Sequence, residues 1–135
     1  MPYLEFDSSL RVGNRLMDQE HEMLIGYINQ LQNVIEHEAD GNAIKQVVRG
    51  LVEYSRTHFF VEEELMKAYD YPEIGFHLKA HVGFRDSANA LVRDLDMGDE
   101  IDLRQMLAFL TEWLTTHILS VDAKLADFLR DKQLA

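Results

Sequence analysis

The sequence contains no cysteine, and its basic residues are few: 13 lysines and arginines stand against 24 aspartates and glutamates, which gives a formal net charge of −11. Without cysteine there is no disulfide, no thiolate zinc site, no cysteine-ligated iron–sulfur cluster and no thiol catalysis. The acidic balance argues against nucleic acid and against membranes as partners, because nucleic acids and anionic membrane surfaces are bound mainly through lysine and arginine. A functional site in this protein would therefore be built from imidazole, carboxylate and apolar side chains.

Long apolar stretches are also missing. No run approaches the ~20 apolar residues that a membrane-spanning helix needs. The first residues, Met1 to Glu5, lack the basic and apolar regions of a signal peptide. We therefore expect a soluble, cytoplasmic protein. A length of 135 residues fits one domain, residues 1–135, that buries enough surface to need no covalent staples.

Four segments carry an apolar residue or a histidine at alternating steps of four and three, which is the period of an amphipathic helix. Their stripes begin at Met17, Ile44, Ile74 and Leu103. Turn-forming residues separate the segments at 40–42, 69–72 and 96–99. The short connections predict an all-α protein, an up-down-up-down antiparallel four-helix bundle over about 17–131.

The residues before the first stripe show no helical period and include Pro2 and Gly13. We predict that residues 1 to about 16 form an extended N-terminal arm. Its apolar side chains, Phe6, Leu10 and Val12, are expected to pack onto the bundle.

Five of the six histidines lie on the apolar seams of the predicted helices: His21, His58, His77, His81 and His117. Imidazole in a bundle core is costly unless its nitrogens find partners. For one histidine alone, a hydrogen-bonded core residue is the simpler explanation, but five of them favour a bound metal. Two carboxylates follow at short spacing, Glu62 after His58 and Asp122 after His117.

The spacings say which of these side chains share a helix face. Residues four apart do so, and this relation holds for His58 with Glu62 and for His77 with His81. His117 and Asp122 are five apart, which places them about 140° apart on a regular helix. They converge only if Asp122 reaches around the helix or a π-type widening brings it into line.

The number and type of these ligands narrow the choice of metal. Imidazole and carboxylate without sulfur suit iron, zinc or manganese, and the set is too large for one tetrahedral zinc. Five histidines, two bridging carboxylates and a bridging oxide would fill all but one of the positions that two octahedral irons offer. The other diiron plan of helical bundles needs Glu-x-x-His pairs, and no histidine here has a glutamate three residues before it.

Four motifs follow one another along the chain and carry a family resemblance. They are Asp18-Gln19-Glu20-His21 with Leu24, His58-Phe59-Phe60-Val61-Glu62-Glu63 with Met66 and Tyr71-Pro72, His77-Leu78-Lys79-Ala80-His81 with Phe84, and Trp113-Leu114-Thr115-Thr116-His117-Ile118 with Asp122. In this order and spacing the chain resembles the hemerythrins, specifically the bacterial single-domain form. The resemblance covers nearly the whole sequence.

The resemblance implies reversible dioxygen binding at an oxo- or hydroxo-bridged pair of non-heme irons, for oxygen storage, delivery or sensing, in a monomer that is not an enzyme. His77, His81 and His117 would bind one iron, and His21 and His58 the other, which keeps the open position. Glu62 and Asp122 would bridge the irons. Leu114 would line the oxygen pocket, with Trp113 packing nearby.

Several other residues receive simpler interpretations. Glu20 stands where the family often has glutamine, and we interpret it as a solvated acid of the first helical turn rather than a hydrogen-bond partner near the centre. His37 is expected to face solvent, and Glu63 to lie on the surface or behind a ligand. Core packing is the expected role of Met23, Phe59, Met66 and Phe84.

Three other functions stay open from the sequence. The first is a diiron redox enzyme, such as a peroxidase, an oxidase or a nitric oxide-handling enzyme, although no seam acid or base is found beyond the proposed ligands. The second is an oxygen or redox sensor module that acts in trans on an unknown protein partner. The third is a structural bundle that holds zinc or no metal.

Overall fold

The protein is all-α, as a computed structural model shows for residues 3–37, 40–98 and 100–132. These residues contain no strand. The helices are α1 (Arg15–Glu36), α2 (Gly41–Ala68), α3 (Ile74–Asp96), α4 (Leu103–Thr116) and α5 (Ala123–Asp131), with a π-helical segment, His117–Asp122, that joins α4 to α5 without a break. Together α4, the π-helical segment and α5 form one continuous helix, which is the fourth helix of the bundle, so the predicted four-helix fold is confirmed.

The first three helices pack in the order in which they follow one another along the chain. α1 packs against α2, α2 packs against α3, and α4 closes the bundle by packing against α1. This arrangement directs the apolar stripe of every helix at one common axis. No helix within the described ranges is long and apolar enough to cross a membrane.

Aspartate and asparagine side chains set the helix starts. The side chain of Asn14 accepts a hydrogen bond from the Met17 backbone N–H, so α1 begins two residues before its first stripe residue. Asp40 caps α2 in the same way. The prediction that Asp40-Gly41-Asn42 forms the turn after the first helix is therefore wrong, because α1 already ends at Glu36, Asp40 caps the next helix, and Gly41 and Asn42 belong to it. Asp99, in the third predicted turn, lies outside the described residues.

The N-terminal arm is held to the bundle at two places. Leu4 N–H donates to Asn29 Oδ1 and Asn29 Nδ2 donates to the Leu4 carbonyl, each at 2.8 Å. Farther along, Arg130 donates to the Val12 carbonyl. Gly13 next to it has φ of +89°, a conformation that favours glycine. As predicted, Phe6, Leu10 and Val12 pack against the core.

The core of the bundle is apolar at both ends and polar in the middle. The side chains of Phe59, Met66 and Phe84 are buried in the core, as expected. Met23 is not, because it lies two residues after His21 and so faces away from the stripe; it is 51% exposed. His37 faces solvent, as predicted.

Candidate metal centre

The middle layer of the bundle holds a cluster of five histidines and two carboxylates. α1 supplies one histidine, α2 a histidine and a glutamate, α3 two histidines, and the π segment a histidine and an aspartate. The structure brings together all seven side chains that the sequence proposed as ligands, namely His21, His58, Glu62, His77, His81, His117 and Asp122, and none is more than 4% exposed.

The π segment resolves the awkward five-residue spacing. His117 opens this segment and Asp122 closes it. In a π-helix the backbone hydrogen bond runs between residues five apart, which brings positions i and i+5 much closer to one face than the ~140° of a regular helix. His117 Nε2 is accordingly 3.0 Å from Asp122 Oδ1. Of the two routes that the sequence left open, helix widening is the one that occurs.

The two carboxylates divide the cluster into two groups, and each carboxylate gives one oxygen to each group. Glu62 Oε1 lies 3.2 Å from His77 Nε2 and 3.0 Å from His81 Nε2. Asp122 Oδ1 lies 3.1 Å from His77 Nε2 and 3.0 Å from His117 Nε2. The first group is therefore three imidazoles around two carboxylate oxygens.

The remaining oxygens face the second group. Glu62 Oε2 lies 3.0 Å from His58 Nε2 and 3.8 Å from His21 Nε2. Asp122 Oδ2 lies 2.8 Å from His21 Nε2 and 3.9 Å from His58 Nε2. Each group places its donor atoms within 4.8 Å of one another. Donors that each lie about 2 Å from a shared ion have separations of this size.

Several donor atoms of the cluster lack hydrogen-bond partners among the described residues, and metal ions could take the place of those partners. Atoms that face the cluster but have no hydrogen-bond partner in the described chain include His58 Nε2, Glu62 Oε2, His117 Nε2 and Asp122 Oδ1. Buried polar atoms without partners are costly. A pair of cations at the two groups would satisfy them. Nitrogen and oxygen donors without sulfur suit iron, zinc or manganese.

Charge within the cluster shifts its pKa values strongly. Burial lowers the pKa of His58, but Glu62, Asp122 and Glu20 together raise it well above its ordinary value. Burial and the charge of Asp122 raise the pKa of Glu62, yet His58 and His21 hold it well below its usual range. Without metal the cluster thus holds protons that a cation must displace on binding.

Two outer carboxylates orient two of the histidines. Glu20 Oε1 is 2.8 Å from His58 Nδ1, and Glu63 Oε2 is 3.0 Å from His81 Nδ1. A carboxylate only accepts hydrogen bonds, so Nδ1 carries a proton and Nε2 is the nitrogen that faces the cluster and can bind a metal. The interpretation of Glu20 as a solvated acid is therefore wrong: it is buried between α1 and α2. Glu63 lies behind a proposed ligand, one of its two expected places.

Aromatic rings hold two other imidazoles in place. The ring of Phe59 stacks on His81 with centroids 3.9 Å apart and planes 11° apart. The indole of Trp113 stacks on His117 at 4.5 Å and 14°. Phe59 was predicted only as core packing, and no sequence pattern distinguishes a packing phenylalanine from one that fixes a ring.

An apolar layer lies one helical turn beyond the cluster. It encloses a small cavity of about 10 Å³, with room for roughly one water-sized molecule. Its wall includes residues three positions from cluster histidines on all four helices: Leu24, Ser55, Phe84 and Leu114. Trp113 also lines this cavity, so both residues proposed for the oxygen pocket lie at its wall. Water is poorly held in such an apolar space.

Comparison with known proteins assigns the family. Residues 12–129 match the family model described as the hemerythrin HHE cation binding domain. The chain is 31% identical over 129 residues to a bacteriohemerythrin of Stenotrophomonas maltophilia, covering 94% of this chain and 82% of that protein. It is 27% identical over 123 residues to a myohemerythrin of Theromyzon tessulatum, covering 91% of this chain and 90% of that protein.

Solved structures agree in fold. A crystal structure of wild-type hemerythrin superposes with a TM-score of 0.86 at 19% identity, over 93% of this chain and 96% of that one. At that identity the likeness shows the four-helix fold alone. With the family model matched over most of its length and relatives above 30% identity, the chain belongs to the hemerythrin family.

Proposed function

We propose that this protein binds dioxygen reversibly at a centre of two non-heme iron ions. The observation that carries the proposal is the division of Glu62 and Asp122, each of which turns one oxygen to the three-histidine group and the other to the two-histidine group. A carboxylate placed in this way serves two ions at once. The cations of the family's cation-binding domain would then number two, and the N/O donor set suits iron.

The two groups are unequal, and this inequality supplies the binding position. His77, His81 and His117 would hold one iron together with the two shared carboxylates. The other iron would have two imidazoles from His21 and His58, one fewer than its neighbour. It is therefore the ion with a position left for an exogenous ligand. Ferrous iron bound there would supply the electrons that dioxygen takes up on binding.

The surrounding side chains favour binding and release over further chemistry. Leu114 and the apolar layer keep water from the cluster, which slows irreversible oxidation of the reduced protein. Glu20 and Glu63, the outer carboxylates, are engaged with His58 and His81. The buried phenol of Tyr71 lies beside His77, with ring centroids 6.4 Å apart, and its pKa is raised by burial and by nearby carboxylates, which makes it a poor acid for turnover at neutral pH.

The proposal includes the domain organisation, cellular location, oligomeric state and partner that the sequence predicts. Residues 1–135 would form a single domain that works in the cytoplasm as a monomer. An oxygen-accepting or redox protein would be its partner, and oxygen storage, delivery or sensing its role.

Iron stoichiometry and oxygen cycling test the proposal. The wild-type protein should hold two irons per chain, and Asp122→Asn should hold fewer while its circular dichroism stays helical. The matched control is Glu22→Gln, since Glu22 is an exposed acid on α1 and should keep both irons. Steady consumption of oxygen or peroxide with a reductant, without release of oxygen, would instead identify a redox enzyme. Unchanged iron content in Asp122→Asn would contradict the proposed bridging role.

A further inference from the structure

A second cavity opens at the surface between α3 and α4, beside the proposed centre. Its volume is about 410 Å³, within the range of small-molecule sites. Its wall is formed by Ala80, Phe109, Glu112, Trp113, Thr116, His117 and Val121. His117 is one of the proposed iron ligands, so a molecule in this cavity would lie against the centre's own coordination shell.

Two aromatic side chains and an imidazole form much of the wall of this open cavity. Trp113 and His117 are stacked nearly parallel, which joins an indole to the imidazole of a proposed ligand. Phe109 is 39% exposed at the rim. Ala80 and Val121 add apolar surface without bulk. Because Trp113 is also packed against the buried ring of Phe84, the wall offers ring edges and the exposed ring of Phe109 to a flat aromatic molecule, and such contacts favour aromatic rings beyond simple burial.

The charge of the cavity limits its occupant further. Among the described residues of the lining, Glu112 is the only carboxylate, no lysine or arginine is present, and Glu112 is exposed. The whole chain carries a formal net charge of −11. An anion would be repelled both locally and by the field of the protein, so an uncharged ring is favoured over one that carries phosphate.

We infer that this cavity binds a planar, uncharged heteroaromatic electron carrier of the flavin class, with its ring against the Trp113–His117 stack. The inference rests on the proposed function, because a centre that binds oxygen in its ferrous form has to be reduced again after it is oxidised. A dihydroflavin becomes the oxidised flavin by giving up two electrons and two protons. Two electrons are what a pair of ferric ions takes up in becoming ferrous, and the two protons pass to solvent.

Burial of the other ligands makes this cavity a suitable entry point. His117 is 4% exposed, whereas the other six proposed ligands are at most 1% exposed. Electrons that enter through Trp113 and His117 would therefore not require the apolar layer near Leu114 to open. Dioxygen and electrons would reach the centre from different sides of Trp113, which lines both cavities.

Lumiflavin, an uncharged flavin, is the probe for binding. Quenching of its fluorescence by the iron-loaded protein should saturate, and Ala80→Phe should raise the dissociation constant at least tenfold by filling the cavity. Ala90→Phe is the matched control, since Ala90 is a half-buried alanine on the same helix outside this cavity. Thr116→Phe, at an exposed lining position, is a second blocking variant in case Ala80→Phe does not fold.

Charge selectivity and reduction kinetics complete the test. Flavin mononucleotide, which carries a phosphate, should bind several-fold more weakly than lumiflavin at low salt. The rate of reduction of the ferric protein by dihydrolumiflavin should saturate in the wild type and in Ala90→Phe, and should become linear in concentration in Ala80→Phe. Linear kinetics in the wild type, or equal lumiflavin affinity in Ala80→Phe and Ala90→Phe, would overturn the inference.

The two proposals fail separately. A protein that takes up and releases oxygen but does not bind lumiflavin refutes the cavity assignment and leaves the proposed function standing. Saturable lumiflavin binding in a protein that never releases oxygen supports the cavity assignment and removes the carrier function.

Discussion

Glu20 offers a test of how the cluster is held in shape. Its carboxylate is 2.8 Å from His58 Nδ1, and its side chain is only 12% exposed. This contact orients the ring of His58, so that Nε2 is the nitrogen that faces the two-histidine group and can bind a metal. Glu20→Ala removes the acceptor and leaves a buried N–H without a partner, whereas Glu20→Gln keeps an acceptor but loses its charge.

The size of the effect follows from what such outer partners contribute elsewhere. Loss of a carboxylate behind a metal-bound histidine typically costs 10–100-fold in metal affinity, which corresponds to about 1.4–2.7 kcal/mol. We expect Glu20→Ala to fall in this range and Glu20→Gln to lie between it and the wild type. The loss should fall on one iron of the two, because His58 contacts the group that holds His21 and not the three-histidine group.

Competition with a chelator, followed by iron analysis per chain, measures the affinity of each ion. Glu22→Ala is the control, since Glu22 lies two residues away on α1 and is exposed. Equal iron affinity in Glu20→Ala and Glu22→Ala would refute the reasoning. So would an equal loss of both ions, because Glu20 contacts one group alone.

Three further predictions follow from the same cluster. Burial lowers the pKa of His77, but Asp122 and Glu62 raise it to about 9. Protonated His77 therefore stabilises the metal-free protein by on the order of 3 kcal/mol below about pH 6.5, and this stabilisation is lost as the pH rises through about 9. Urea unfolding should show a lower free energy of unfolding at pH 9.5 than at pH 6. Glu62→Gln should lower iron content in both groups, as metal analysis would show, whereas loss of one ion alone would argue against a shared carboxylate. Leu114→Ala should lower the free energy of unfolding by about 2–5 kcal/mol and speed oxidation of the reduced protein in air, which calorimetry and absorbance would measure.

The fold was predictable because its signals are local. An apolar stripe of period 3.6 is visible within the sequence of a single helix. The four helices share one bundle axis because each must bury its apolar stripe. The five histidines of the cluster were found for the same reason, since each lies on a stripe, and the two carboxylates were found from their short spacing after His58 and His117. The conflict between His117 and Asp122 was also visible, because a five-residue spacing does not fit a regular helix.

The errors concern features that depend on contacts between helices or on local caps. Glu20 meets His58 only because α1 and α2 pack in one particular register, and nothing within either helix specifies that register. Asp40 was assigned to a turn, since an Asp-Gly-Asn sequence suits both a turn and a helix start. Met23 was placed in the core by its hydrophobicity, although its position on α1 faces solvent.

Reversible oxygenation of the reduced protein tests the central claim most directly. The protein is loaded with iron, reduced without air, exposed to oxygen and then purged, while visible absorbance and iron per chain are recorded. The account predicts two irons per chain and a charge-transfer band that appears with oxygen and disappears on purging, over repeated cycles. A single irreversible change to the ferric spectrum, or a protein that retains no iron, would contradict it.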